Sequence, residues 1–501
     1  MDAILSGAEL VFNLQTLVVI LAAAAFGMFV GAIPGLTATM AVALLVPVTY
    51  FMAPIPAIAA MVTTAAVTIF AGDIPGAYLR IPGTPSSAAY VDEAYAFSLR
   101  GKASECLGIA LVCSVTGGIV GTLVLIFVAP SLAEFALNFS AFEYFWLALL
   151  GLSCAVFISP GSHLKAVLSL CIGLSLATVG LDSTTGSPRF TFGVTDLMGG
   201  VNFIPVMIGL FAIAEVMRFT AKPANTQVVT VKDTGSVFGE VKPSLRKYWK
   251  SVLRGSGTGS LIGVLPGAGS DIAAWVSYAV SRKFSRTPEK FGSGHSEGIV
   301  ETSSSNNAAV SGSWVPALVF GIPGDTITAV VIGVLYMKGM NPGPAIFMEG
   351  GSMVYALFMV FIVANLVMLP VGYVAIRLGK GFVATPTRIV MPIVLAFCIV
   401  GAYSINNSTV DVMLMLGAGV AAYGLGRAGF PAAPIILGLV LGGMLEKSFM
   451  SAMIRSDGDL LAFFSRPISA SLGALVIMIW LLPLLIRLMR WSMACRHRLN
   501  A

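Results

Sequence analysis

The sequence predicts an all-α integral membrane protein of about 11 transmembrane helices, with further helical hairpins that are broken or re-entrant. Three observations carry that expectation. Of the 501 residues, 57% are hydrophobic and only 10% are charged, against about 25% charged in an ordinary soluble domain. Apolar segments of roughly 20 residues, enough to cross a bilayer, recur along the whole length. Pro-Gly pairs interrupt some of these segments, and they come in two matching sets. The net charge of +6 collects at segment ends, which reports membrane orientation rather than a nucleic-acid surface.

The first apolar run, 17–30, is broken by G-A-I-P-G-L-T-A-T at 31–39 and resumes over 40–52. Proline removes a backbone donor and glycine admits the turn, so the segment reads as helix, break, helix. Two full spans and a re-entrant hairpin both fit. A second run covers 54–79 with Asp73 inside it. R-I-P-G-T-P-S-S-A-A follows at 80–89, then a polar helical piece ending at Arg100 and Lys102. Spans are expected at 106–130, 141–159, 163–181 and 201–219, with turn-rich L-D-S-T-T-G-S-P-R-F at 181–190. No basic region precedes the first run, so a cleaved leader is not expected.

The connection from Arg218 to Arg254 adds Lys222, Lys232, Lys242, Arg246, Lys247 and Lys250, against Asp233 and Glu240. That excess reads as a cytoplasmic loop. A second broken hairpin is expected over 256–281, around G-V-L-P-G-A-G-S-D at 263–271. A polar run, E-T-S-S-S-N-N-A-A, fills 301–309, and G-I-P-G-D-T-I-T-A fills 321–329. Further spans are expected near 352–376, 389–405, 409–426, 431–445 and 468–486, with the charge-mixed stretch 446–466 outside the membrane. Arg487, Arg490, Arg496 and Arg498 place the C-terminus in the cytoplasm.

G-A-I-P-G-L-T at 31–37 matches G-V-L-P-G-A-G at 263–269, and R-I-P-G-T-P-S-S-A-A matches G-I-P-G-D-T-I-T-A in the same order. An ordered double match marks an internal repeat. Basic residues on both flanks of the second hairpin make it enter from inside, whereas the first enters from outside. The halves then read as inverted repeats, a plan of many secondary transporters. The expected organisation is repeat 1 at 1–220, a cytoplasmic linker at 221–253, repeat 2 at 254–467, and an extra C-terminal helix with its tail at 468–501.

Broken backbone survives at membrane depth only where protein encloses a cavity, because each unpaired polar group costs several kcal/mol. Half-helix N-termini favour carboxylates, and freed carbonyls favour small cations. The candidate substrate-binding residues are therefore Gly83, Thr84, Ser86, Ser304, Ser305, Asn306, Asn307, Gly324 and Thr326. The candidate cation-binding residues are Asp271, Asp325, Gly35, Thr37, Gly267 and Ser270. Small hydroxyls and asparagines also join helices, and Asp caps them, so packing is the competing role for these residues.

Six cysteines form no C-x-x-C pair, and three histidines show no metal-ligand spacing. Neither a Walker A sequence nor G-x-S-x-G is present. The chain is expected not to be an enzyme, with no cofactor beyond a coupling ion such as sodium. A stand-alone permease or channel, and an intramembrane enzyme, are the competing classes.

G-A-I-P-G-L-T-A-T-M-A, the I-P-G-T-P-S-S-A-A run, G-L-D-S-T-T-G-S-P-R-F-T-F-G at 180–193, and N-N-A-A through G-M-N-P-G-P together resemble the large membrane subunit of the tripartite tricarboxylate transporters. The resemblance covers nearly the whole chain. It implies a bacterial inner-membrane secondary transporter for an organic carboxylate such as citrate, driven by a sodium or proton gradient. It also implies a small membrane subunit and a periplasmic solute-binding protein as partners, with no nucleic acid. Asp73 departs from a more neutral, glycine-rich family pattern, and Ser303–Ser305 are more polar than usual.

Overall fold

A computed structural model describes residues 2–34, 36–159, 161–182, 185–221, 235–383 and 387–481. Gly35, residues 222–234 of the basic linker and the four C-terminal arginines lie outside the described residues. Helices account for nearly all the regular structure, and the strands among the described residues are the short pair Gly180–Leu181 and Pro188–Arg189. Among the described residues, seven helices are long and apolar enough to cross a membrane: Leu14–Gly31, Pro54–Leu79, Ala103–Ala136, Phe203–Ala221, Gly351–Gly379, Thr409–Arg427 and Ala433–Arg455. Shorter apolar helices include Ala38–Tyr50, Ala141–Phe157, His163–Ala177 and Thr326–Met337. The chain is thus an all-α membrane protein.

Three boundaries differ from the sequence expectation. The helix expected over 431–445 runs on to Arg455. Its Glu446 is held by Arg189 at 2.7 Å and 3.1 Å, so a charge that looked like a loop signal is paired instead. The second hairpin's first arm begins at Trp249. Its Arg254 is bound to the Glu301 carboxylate through Nε at 2.6 Å. The polar run 301–309 belongs to a helix, Ser296–Gly312, that is buried along almost its entire length.

That burial rests on glycine. A Cβ at Gly255, Gly259 or Gly263 would stand 2.2, 2.1 or 2.5 Å from the carbonyl oxygens of Glu301, Ser305 and Ala309. On the other side, a Cβ at Gly117 would stand 2.0 Å from the Ser304 carbonyl. Backbones this close exclude any side chain at the crossing, the small-residue packing of membrane helices. Gly27 and Gly31 play the same part in the first half, against Thr64 and Thr68.

The chain divides into two compact units, 1–137 with 201–432, and 138–200 with 433–501. Within the first, each half lends its long helix to the other. Ala103–Ala136 packs on Trp249–Gly263, Ser296–Gly312 and Trp314–Phe320, while Gly351–Val383 packs on Leu14–Gly31, Pro54–Ala71 and Asp73–Leu79. The second unit is built on Ala141–Ile158, His163–Ala177 and Ala433–Arg455. Trp146 and Phe463 anchor its core, with the indole N–H donating to the Phe463 carbonyl at 3.0 Å.

Candidate functional site

The site is assembled from four breaks in helices of the first unit. In the first half, Pro54–Ala71 ends at Gly72 and a short helix, Asp73–Leu79, continues to Arg80. Arg80 is left-handed, with φ 59°, and its N–H donates to the Gly76 carbonyl at 3.1 Å. In the second half, Trp314–Phe320 ends at Gly321, φ 68°, whose N–H donates to the Ala317 carbonyl at 3.1 Å. The Ile-Pro-Gly that follows each turn is extended chain. Each then starts a helical segment with a reciprocal cap.

The two caps use different chemistry. The Asp325 carboxylate accepts the Thr328 N–H at 2.7 Å, while the Thr328 hydroxyl accepts the Asp325 N–H at 2.9 Å. At the other break the Thr84 hydroxyl accepts the Ser87 N–H at 3.2 Å, and the Ser87 hydroxyl accepts the Thr84 N–H at 3.2 Å. Reciprocal capping satisfies two orphan donors at each start. Each glycine is fixed by close approach. A Cβ at Gly83 would meet the Gly72 Cα at 2.7 Å, and one at Gly324 would meet the Ser313 Cα at 2.7 Å.

The hairpin tips reach these breaks across the halves. The Thr39 and Thr326 hydroxyls lie 2.8 Å apart. The Asp271 carboxylate lies close to Ser86 and to Asp325, while the Ser86 hydroxyl stands 3.0 Å from that of Thr84. Gly267 and Gly269 both have positive φ, 83° and 57°, and a Cβ at Gly269 would stand 2.5 Å from the Asp325 Cβ. That turn therefore requires glycine. Ser270 is buried at the same tip, and Thr37 caps the first hairpin's second arm by accepting the Met40 N–H at 3.3 Å.

Of the residues singled out by sequence, the structure thus gathers Gly83, Thr84, Ser86, Gly267, Ser270, Asp271, Gly324, Asp325 and Thr326 around the breaks. Thr37 stands at the first tip. The Gly83 N–H is engaged by the Gly72 carbonyl at 3.0 Å, so this residue shapes the turn rather than offering a donor. Ser304 and Ser305 point elsewhere. The Ser304 hydroxyl donates to Val300 in its own helix at 2.8 Å, and that of Ser305 to Ala273 at 3.1 Å. Asn306 and Asn307 are 1% exposed. The Asn307 amide donates to the Ala66 carbonyl at 3.4 Å, and the Oδ1 atoms of both residues lack a partner.

Two charged groups escaped the sequence reading. Glu93, fully buried, accepts the N–H groups of Gly292, Gly294 and His295 at 2.5, 2.6 and 2.6 Å, and the Tyr278 hydroxyl at 2.9 Å. It pins the loop that joins the second hairpin to the Ser296–Gly312 helix. Lys338 donates to the carbonyls of Tyr50 and Met52 at 2.8 and 2.6 Å and so closes the first hairpin's outer end. A cavity of about 390 Å³ opens in the second unit, lined by Phe145, Leu174, Leu445 and Phe449 among others. Its lining is mostly apolar, with Thr178 and Glu446 among it, and contains none of the break residues.

The model of the Tripartite tricarboxylate transporter TctA family matches residues 17–437. An "uncharacterized 52.8 kDa protein in TAR-I ttuC' 3'region" of Agrobacterium vitis is 35% identical over 460 residues, which is 91% of each chain. A shorter "uncharacterized protein in TAR-II ttuC' 3'region" of the same organism is 37% identical over 228 residues, 45% of this chain and 94% of its own. No solved structure matches. The family match spans both hairpins and both breaks, and on it the chain belongs to the Tripartite tricarboxylate transporter TctA family.

Proposed function

We propose that this chain is the permease of a three-part system that takes up an organic carboxylate across the bacterial inner membrane. A periplasmic solute-binding protein feeds it, a small membrane subunit accompanies it, and a cation gradient drives it. One observation supports this reading: helix breaks from both halves bring two carboxylates, Asp271 and Asp325, together, and among the described residues neither forms an ion pair with a basic side chain. Two partly buried carboxylates that face each other favour a counter-charge when both are ionised. A monovalent cation held by these carboxylates and the carbonyls of the Gly267–Ser270 turn supplies it.

The anion takes the donors at the opposite break. Ser86 lies beside Asp271, and its N–H and hydroxyl are the kind of donors a substrate carboxylate needs. A substrate arriving there displaces Asp271, and the freed carboxylate joins Asp325 around the cation. Binding of anion and cation thereby support each other. Thr84, Thr326 and the unpaired amide oxygens of Asn306 and Asn307 complete the polar lining.

In this reading 1–220 and 254–467 are inverted repeats that exchange long helices, and 468–501 is an added C-terminal segment ending in the cytoplasm. The test is uptake into proteoliposomes holding this chain, with both partners present. Sodium or proton gradients are imposed across a panel of tricarboxylates, dicarboxylates and aromatic acids. Accumulation of one carboxylate under a gradient supports the reading; no uptake of any panel member under either gradient rejects it. Uptake that proceeds at full rate without the binding protein points to a stand-alone permease instead.

A further inference from the structure

Asp73 takes no part in the site above, yet it is a carboxyl in the interior of a membrane helix. It is 3% exposed. Its Oδ1 accepts the Tyr90 hydroxyl at 2.6 Å, and its Oδ2 has no partner. The Ser303 hydroxyl, contributed by the other half, lies beside the same phenol and is also without a close partner. The other titratable groups at this cluster include the Cys106 thiol of the Ala103–Ala136 helix, on which both Asp73 and Glu93 act. Asp73 lies within a buried cluster that includes Ile74, Cys106, Met368, Ala375 and Ile376. Among the described residues, no Lys, Arg or His forms an ion pair with Asp73.

The fold does not require a carboxyl here. The corresponding position in the second half, directly after Ser313 and two residues before a proline, is Trp314. Asp73 also sits at a mechanical junction. The preceding residue, Gly72, accepts the Gly83 N–H at 3.0 Å, and a Cβ there would stand 2.7 Å from the Thr84 Cγ2. One peptide therefore separates the carboxyl from the Thr84–Ser86 loop that receives the substrate.

We propose that Asp73 is a proton-binding site of the transport cycle, with Tyr90 and Ser303 as its hydrogen-bonding partners. This rests on the transport reading and adds a proton as a second coupling ion beside the cation at Asp271 and Asp325. An unpaired anion in this enclosure lacks both water and a counter-charge, a cost that protonation removes. On loading, the Oδ2–H bond forms with a proton drawn from one face. On release that bond breaks and the proton passes to water at the other face. The charged form pulls on Gly72 and hence on the Gly83–Ser86 turn, which ties proton release to the substrate loop.

The experiment uses the full chain with its partners in proteoliposomes, loaded with citrate or whichever panel carboxylate the wild type accumulates. Sodium is equal on both sides, the membrane potential is clamped, and the interior is made alkaline. Wild type is expected to accumulate the carboxylate, whereas Asp73→Asn is expected to show no accumulation above the level without a gradient. The same variant is expected to keep exchange of labelled for unlabelled carboxylate, which needs no net proton movement. Wild-type indifference to the pH gradient, or full proton-driven accumulation by Asp73→Asn, overturns the proposal.

If Asp73→Asn does not fold, infrared spectra of the purified wild type carry the test. A protonated-carboxyl C=O band is expected at neutral pH, lost on alkaline titration and moved in frequency by Tyr90→Phe. Absence of a band that responds to Tyr90→Phe overturns the proposal. This readout needs no transport, so it separates failure of the Asp73 assignment from failure of the transport reading.

Discussion

The two Ile-Pro-Gly breaks share a backbone plan and differ in charge. Each follows a left-handed residue, Arg80 or Gly321, and each leads into a reciprocal cap three residues long. Where the first break has Thr84, the second has Asp325. Where the first hairpin tip has Thr39, the second has Asp271. Where the second half has Trp314, edge-on to Phe361 with ring centroids 5.2 Å apart, the first has Asp73. Two similar breaks thus carry hydroxyls at one and a carboxylate at the other.

Exchanging the cap chemistry tests this most severely. Asp325→Thr keeps a side chain able to cap the helix but removes the charge. Cation affinity in uptake assays is expected to fall by about 100-fold, the equivalent of about 3 kcal/mol for a lost interaction with a charged group. Thr84→Asp is expected instead to abolish carboxylate uptake while the protein stays folded, because it sets a negative charge beside the anion. Wild-type cation dependence in Asp325→Thr would break the comparison.

The glycine crossings give the next largest effect. Gly259→Ala forces a Cβ to 2.1 Å from a backbone oxygen, whereas Gly27→Ala brings one only to 3.0 Å from the Thr64 carbonyl. Thermal unfolding in detergent should show Gly259→Ala destabilised by about 1–3 kcal/mol, as for overpacking. Gly27→Ala should lose visibly less. Equal losses would mean that the halves are packed alike.

Asn307→Ala separates lining from packing. The amide loses its bond to the Ala66 carbonyl at 3.4 Å while Oδ1 has no partner to lose, so the unfolding temperature should fall only modestly. Uptake should fall by about 10-fold, or about 1.4 kcal/mol. Wild-type uptake would remove Asn307 from the site.

The smallest effect concerns the left-handed turns. A residue with a Cβ costs about 1–2 kcal/mol in that conformation relative to glycine. Gly321→Ala should lose about 1 kcal/mol in the unfolding assay, and Arg80→Gly should gain about as much. The Arg80–Asp92 pair does not offset that gain, because both side chains are more than half exposed, at 61% and 56%.

Much of this was legible beforehand. Proline and glycine act on their own backbone, so the breaks at 34, 82, 266 and 323 and their ordered repetition stand out in a single sequence. Arg80 hid its left-handed turn, since arginine carries no such signal; only its counterpart Gly321 reveals it. The Ser296–Gly312 helix hid as well. Span counting looks for apolar runs, and this helix is polar because its neighbours are protein on every side. The partners of Arg254, Glu93 and Lys338 lie 47 to 288 residues away, beyond any local pattern.

By itself the sequence determined that this chain lives in a membrane, breaks its helices at repeated points, and carries few charges to place there. Those properties follow from local backbone chemistry and from the cost of polar groups in hydrocarbon. Only the tertiary structure decided which charges meet. It set Asp271 before Ser86 and Asp325, closed Glu93 and Lys338 over the far ends of the hairpins, and left Asp73 alone with a phenol. Such encounters depend on which distant segments the packing of glycine-lined helices brings together.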